Sequence, residues 1–267
     1  MKQLLNQWLK NRQLLNNRFN LDWIKHVLFK PNCLLCASPQ ANNHGLCSAC
    51  LVELPWHPIS SCPQCGLSSS GHLGSSGQMC GSCISSPPDF DATQAVFLYQ
   101  YPIDKMMRRY KYGNMLNISH TFGQLLAEKT LLTSLNTSYL NTSALNTSAI
   151  DLIIPMPMHP TRIKARGFNQ ALEIAKVLSK NHSDKLDYKS VVRQTLTPPQ
   201  ASLPLKERVK NIKGAFKVIN NLRGKRIAIV DDVMTTGASL NELAKTLKKA
   251  GANHVECWVI ARTLPHQ

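Results

Sequence analysis

Ile229–Ser239 reads IVDDVMTTGAS, between an apolar run, Lys225–Val230 (KRIAIV), and a helical pattern, Ala238–Gly251 (ASLNELAKTLKKAG). A buried strand therefore runs into two acids, then a short loop of small hydroxylic residues, then a helix. That order suits a sugar phosphate such as ribose 5-phosphate. Gly237 lets the backbone wrap closely, Thr235, Thr236 and Ser239 offer hydroxyls, and the helix N-terminus at Ala238 turns free N–H groups toward an anion. Asp231 and Asp232 can accept hydrogen bonds from ribose hydroxyls, or hold Mg²⁺ through its waters. A plain strand followed by a capped helix would account for one hydroxyl and one acid, but not for the full set.

Outward from this loop, the same alternation recurs. Ala95–Tyr101 (AVFLYQY) reads as a strand and Ile118–Leu132 (ISHTFGQLLAEKTLL) as a helix. Asp151–Pro155 (DLIIP) is a second strand, followed by a loop and a helix over Phe168–Asn181. His254–Ala261 (HVECWVIA) is a further strand, in which Cys257 reads as core. Strands of nearly continuous apolar residues alternating with helices predict an α/β domain with a parallel sheet covered on both faces. Such sheets bind ligands beyond the C-terminal strand ends, where the loops after Pro155 and Val230 lie.

The loop after Pro155 is a second anion site by its residues. Arg162, Lys164 and Arg166 stand two apart, and in an extended chain they would project from one side. Guanidinium forks suit a diphosphate, Gly167 permits a sharp turn, and Asn169 can cap the next helix. A solvated basic loop is the competing reading. Lys206, Arg208, Lys210 and Lys213 form another basic run that a solvated helix face explains equally well. Arg108, Arg109, Tyr110, Lys111 and Tyr112 mix cations with aromatics, the composition of single-strand nucleic-acid binding. An ordinary helix end with core tyrosines would look the same.

Eight of the nine cysteines form four Cys-x-x-Cys pairs: Cys33/Cys36, Cys47/Cys50, Cys62/Cys65 and Cys80/Cys83, with gaps of 10, 11 and 14 residues between pairs. Two such pairs close one tetrahedral Zn²⁺ site, so the array predicts two structural zinc ions. Gly66 and Gly81 supply the tight backbone of a knuckle. Sequential pairing makes a double zinc ribbon; interleaved pairing stays open. Disulfides need an oxidising compartment, a thioredoxin-type pair needs one motif in a βαβ setting, and an iron–sulfur cluster fits this spacing less well. With eight thiols present, His44, His57 and His72 read as bystanders. The cysteine segment has few core formers besides the cysteines, with Gly, Ser and Pro dominating Ser68–Pro88 (including SSSGHLGSSG), so metal must supply much of its folding free energy.

The chain has 267 residues and a net charge of +16. Residues 101–267 carry 25 Lys and Arg against 11 Asp and Glu, a net +14, while residues 1–100 carry +2. That excess points to phosphate ligands and a polyanionic partner. No apolar run reaches the ~18 residues of a membrane span, and the basic N-terminus has no apolar core of a signal peptide, so a cytoplasmic protein without an integral membrane segment is expected. Leu4, Leu5, Trp8, Leu9, Trp23, Ile24, Val27 and Leu28 predict two amphipathic helices that pack on the parent domain, with membrane-surface docking as the competing reading. Leu-Asn-Thr-Ser occurs three times between Leu135 and Ser148, which reads as an expanded linker.

VDDVMTTGAS resembles the phosphoribosyl-pyrophosphate (PRPP) signature of type I phosphoribosyltransferases. Ile153–Ala171 (IIPMPMHPTRIKARGFNQA), Thr197–Phe216 (TPPQASLPLKERVKNIKGAF), RRYKYGN (108–114) and the cysteine array together resemble the ComF-type competence proteins, over about nine-tenths of the chain. The resemblance, which begins at about Lys30, implies a double zinc ribbon over 31–90 and a type I phosphoribosyltransferase-like domain over 91–267; spacing and composition add the amphipathic helices over 1–30 and the insert about 133–149. It implies PRPP or a ribose phosphate with Mg²⁺ as ligand, bound by Asp231, Asp232, Thr235, Thr236, Gly237, Ala238 and Ser239 with Arg162, Lys164 and Arg166. Gln200, Arg208 and Asn211 take the look of pocket residues. It further implies a role in natural transformation, with single-stranded DNA and competence proteins such as a helicase as partners. The other reading is an active phosphoribosyltransferase, with Asp231 and Asp232 as the candidate catalytic residues.

Overall fold

A computed structural model describes residues 32–67, 78–113, 115–140, 150–181, 185–196 and 212–264, with side chains of the helix at 118–140 described as far as Thr133. The N-terminal helices expected before residue 31, most of the Leu-Asn-Thr-Ser repeat, and Gln200, Lys206, Arg208, Lys210 and Asn211 lie outside the described residues. The chain divides into two compact units after Val52. The first contains a short helix, α1 (Ser48–Val52).

The second unit is built on a sheet in the order β1-β7-β6-β2-β3, every pair parallel. The strands are β1 (Ala92–Leu98), β2 (Leu152–Pro155), β3 (Lys185–Leu186), β6 (Arg226–Met234) and β7 (His254–Arg262). A separate antiparallel pair, β4 (Val191–Arg193) with β5 (Phe216–Val218), lies beside it. The expected parallel α/β architecture is present, and Cys257 is fully buried in it. The short strands β3, β4 and β5 have too few residues to show a period and were not legible in the sequence.

Alternation across the pleat sends each strand's residues to two helical layers. Ile227, Ile229, Val255 and Val259 join one cluster with Leu240, Leu243 and Leu247 of helix α7 (Ala238–Lys249). Ala228, Val230 and Ile260 are equally buried and alternate with them. Helices α4 (Ile118–Leu140) and α6 (Gln170–Asn181) pack on each other and on the sheet. Helix α4 runs eight residues beyond Leu132 and takes the first Leu-Asn-Thr-Ser copy into its last turns. Its Thr130 and Thr133 hydroxyls donate back to carbonyls three and four residues earlier, which lets hydroxylic residues sit inside a helix.

Helix α3 (Ile103–Tyr112) buries Ile103, Met106, Met107 and Tyr110, a stripe at helical spacing. The Tyr110 ring meets Phe122 and Phe168, and its hydroxyl donates to the Gln170 carbonyl at 2.8 Å. Tyr110 therefore belongs to the core, which removes it from the nucleic-acid candidates. Helix α2 (Gly81–Ser85) starts at Gly81, whose backbone needs no left-handed φ.

Where α4 crosses α6, Gly123 has no room for a side chain. An added Cβ would lie 2.5 Å from Val177 Cβ and 3.0 Å from the Ile174 carbonyl oxygen. Alanine gains about 1 kcal/mol in helix propensity, whereas overpacking costs about 1–3 kcal/mol. Gly123→Ala is thus expected to lose up to about 2 kcal/mol of stability, read as a lower urea midpoint at unchanged slope.

Candidate functional site

The cysteines pair sequentially. Cys33, Cys36, Cys47 and Cys50 form one cluster and Cys62, Cys65, Cys80 and Cys83 the other, with all sulfurs of a cluster within 4.8 Å of one another. Cys36 Sγ lies 3.6 Å from Cys47 Sγ, and Cys65 Sγ 3.6 Å from Cys80 Sγ. A tetrahedron of Zn–S bonds of about 2.3 Å has edges of about 3.8 Å, so both clusters have the size of a Cys₄ zinc site. All eight thiols are free of disulfides. In the second cluster Gly66 takes φ 68°, closing the knuckle with its N–H on the Cys62 carbonyl at 2.9 Å, and Cys80 N–H donates to Cys62 Sγ at 3.3 Å.

The electrostatics also ask for a cation. Burial raises the Cys33 thiol, but N–H groups of Cys36 and Cys47 outweigh it and bring it down to about 6. Cys62 comes down to about 7 in the same way. Burial and then the neighbouring sulfurs push Cys50 up to about 12. Burial pushes Cys65 up to about 11, and Cys83 rises further. One thiolate per cluster thus forms easily and holds its neighbours protonated; a divalent ion lets all four ionise. Both clusters fit the two zinc ions of a double zinc ribbon. Of the histidines set aside as bystanders, buried His57 bonds the Gly66 carbonyl through Nε2 at 2.7 Å and belongs to neither cluster.

The second site is a cavity of about 660 Å³ at the C-terminal ends of β2 and β6. β6 runs on through Met234, so Asp231 and Asp232 lie within the strand rather than after it. Asp232 is held by Lys111, whose Nζ is 2.9 Å from both carboxylate oxygens. Burial lowers Lys111, but the charge of Asp232 outweighs it, and the ammonium is held above its ordinary value. Asp231 accepts the Asp232 N–H at 2.8 Å, yet burial, and next the charge of Asp232, push its carboxyl up to about 7.

Facing these acids are three arginines. The strand after Pro155 does not lead into an extended loop as expected. Pro160–Arg166 forms a short helix, α5, begun by Pro160 and ended by Gly167 at φ 88°. In a helix, positions 162 and 166 share a face and 164 does not. Arg162 and Arg166 accordingly line the cavity, while Lys164 stays exposed and off its wall. Arg166 donates to Gln170 Oε1 at 2.9 Å and lies 5.3 Å over the exposed ring of Tyr112. Arg193, at the end of β4, is the third; burial, then the charge of Arg162, bring it down to about 10. Asn169 caps α6 by accepting the Ala171 N–H at 3.0 Å, as expected.

Of the hydroxylic loop, Ser239 lines the cavity, while Thr235, Thr236, Gly237 and Ala238 are off its wall. Gly237 takes φ 79°, packs against Met234 Cε, and begins α7 with no side-chain cap. Thr235, Thr236 and Ala238 form the turn behind Ser239. Arg108 and Arg109 are exposed on α3, and Lys213 is exposed in a turn. Lys111 had read as a nucleic-acid contact but is committed to Asp232. Arg193 and Gln170 escaped the sequence reading. The one signal for Arg193 was a lone charge closing a short apolar strand, Val191–Arg193.

A family model described as a double zinc ribbon domain matches residues 24–84, and one described as a phosphoribosyl transferase domain matches residues 163–265. The chain is similar to DNA utilization protein YhgH of Escherichia coli O6:H1, 33% identical over 234 residues that span 87% of this chain and 97% of that one. It is 32% identical to competence protein F of Haemophilus influenzae over 249 residues, 88% of this chain and 98% of that one. A solved purine phosphoribosyltransferase from Pyrococcus horikoshii Ot3 aligns over 61% of this chain and 74% of its own, with 16% identity and a TM-score of 0.30.

Purified protein is expected to carry two zinc ions, and Cys65→Ser with Cys83→Ser to carry one, by metal analysis. A separate test concerns Asp231. An ordinary aspartate ionises near pH 4. Its raised value means the folded state keeps a proton that the unfolded chain has lost, so this group's contribution falls as pH rises from about 4 to about 7. Asp231→Asn should therefore raise the Tm by a few degrees at pH 8, by roughly a third as much at pH 5, and leave it nearly unchanged at or below pH 4. Equal shifts at all pH values would contradict the raised carboxyl.

Proposed function

The chain belongs to the family of competence protein F and DNA utilization protein YhgH, and on that premise we propose that its cavity binds PRPP or a related ribose phosphate in the handling of single-stranded DNA. The observation that carries this reading is the juxtaposition in one cavity of an acid pair, three arginines and the start of a helix whose N-cap, Gly237, has no side chain. Asp231 and Asp232 take the ribose hydroxyls. The N–H groups at the start of α7, with Thr235, Thr236 and Ser239, take the 5′-phosphate. Arg162, Arg166 and Arg193 take the diphosphate, whose charge offsets the burial, and then the repulsion by a neighbouring arginine, that lower Arg162 and Arg193. Mg²⁺ fits beside the acid pair, held through its waters, and would neutralise the diphosphate.

Single-stranded DNA enters the reading through the cavity mouth. Tyr112 lines the cavity yet is 74% exposed, with the Arg166 guanidinium over its ring. A flat ring with a cation beside it is what a nucleobase and its phosphate require. Arg108 and Arg109 extend positive charge along α3. A reducing cytoplasm suits the eight thiols.

The deciding experiment mixes protein, Mg²⁺, PRPP and a panel of nucleobases. PRPP binding without pyrophosphate release is expected. Release with any base would instead make the protein an active phosphoribosyltransferase. Asp231→Ala with Asp232→Ala should abolish PRPP binding in calorimetry; unchanged affinity would remove the assignment. Tyr112→Ala should weaken single-stranded DNA binding about tenfold at fixed salt, the loss of one stacked base.

A further inference from the structure

Arg262, the last residue of β7, is 4% exposed. Its guanidinium joins two parts of the second unit that are far apart in sequence. Nε donates to the carbonyl of Cys65, in the second cysteine cluster, at 2.9 Å. Nη1 donates to the carbonyl of Met234, the last residue of β6, at 3.0 Å and to that of Thr235, the first residue of the hydroxylic loop. It also reaches the Thr263 carbonyl at 3.3 Å. Among the described residues it is paired with no carboxylate.

The knuckle end of this link is held throughout. Four consecutive carbonyls, Pro63, Gln64, Cys65 and Gly66, each accept a bond from elsewhere in the unit. Thr93 N–H takes Pro63 at 2.9 Å and Thr93 Oγ1 takes Gln64 at 2.6 Å. Arg262 takes Cys65 and His57 takes Gly66. A knuckle closed on its metal presents these carbonyls in one fixed turn. A Cys₄ zinc site also carries two net negative charges, which compensates a buried guanidinium that lacks a carboxylate.

We propose that Arg262 is the positioning residue of the hydroxylic loop, and that through it the loop's conformation depends on the metal in the cluster of Cys62, Cys65, Cys80 and Cys83. Loss of that metal frees the Cys65 turn, removes the anionic counterpart of Arg262, and releases the Thr235 carbonyl, while the Met234 carbonyl keeps its bond from the Thr263 N–H at 3.1 Å. The dependence is reciprocal: whatever fixes the loop strengthens metal retention at this cluster and not at the other. Lysine at this position keeps the charge but has no rigid fork to hold both ends at once.

The test is amide hydrogen exchange on the full chain, followed in peptides covering Met234–Ser239, with Ile227–Val230 of β6 as the control for folding. It needs no sugar phosphate, so it stands apart from the binding reading above. Cys83→Ser is expected to speed loop exchange about tenfold, within the usual range of site-to-site coupling, and Cys36→Ser to leave it unchanged. In an Arg262→Lys background the loop should exchange fast already, and Cys83→Ser should add less than about twofold. Where Cys83→Ser opens β6 as well, the wild-type chain is titrated with chelator. Loop exchange must then rise with zinc release while the β6 amides stay protected. A loop indifferent to the second metal, equal effects of the two clusters, additive effects of Cys83→Ser and Arg262→Lys, or loop and β6 opening together would each overturn the proposal.

Discussion

The parallel pairing of β6 with β7 sets Arg226 opposite His254 at one end and Met234 opposite Arg262 at the other. Both strands are buried on both faces, so their side chains from Ile227 to Val230 and from Val255 to Ile260 include no charge except Glu256. Apart from Glu256, charge enters these strands toward their ends. In the C-terminal part of β6 stand Asp231 and Asp232, and at the last residue of β7 stands Arg262. The cavity lies at this end of the sheet, and Arg262 ties the second cysteine cluster to it.

Within the cavity the charges are arranged at a cost to the empty protein. Asp231 is held toward its neutral form, Arg193 is lowered by burial and then by Arg162, and Lys111 is spent on Asp232. A wall built for stability alone would pair these groups with each other. Asp231 and Arg193 feel one another's charge across the cavity they both line. An anion that also presents hydroxyls or carries a divalent ion satisfies both sets together, so ligand binding and local stabilisation coincide.

The cysteine clusters follow a different logic. Their segments supply little apolar surface, and the sulfurs cannot all ionise unaided. Metal is what turns four mutually repelling thiols into a rigid turn. In the second cluster that turn is fastened to β1 by Thr93 and to β7 by Arg262, so a locally folded module becomes part of the wall behind the hydroxylic loop.

Spacing alone determined much of this protein. Four Cys-x-x-Cys pairs imply two tetrahedral sites because two-residue gaps have one compact geometry. Apolar strands alternating with helices imply a parallel sheet, and acids followed by a Thr-Thr-Gly turn imply an anion loop, because these are local consequences of period and backbone freedom. Tertiary structure alone decided which knuckles pair, since gaps of 10 to 14 residues allow either closure. It turned Pro160–Arg166 into a helix and so took Lys164 off the wall. It sent Tyr110 inward and Lys111 to Asp232, 121 residues away. It brought Arg193 and Arg262 to the site from strands whose ends carry no local mark of their destination. A cation's role depends on what faces it, and that is set by sheet order and register, which one-dimensional spacing does not encode.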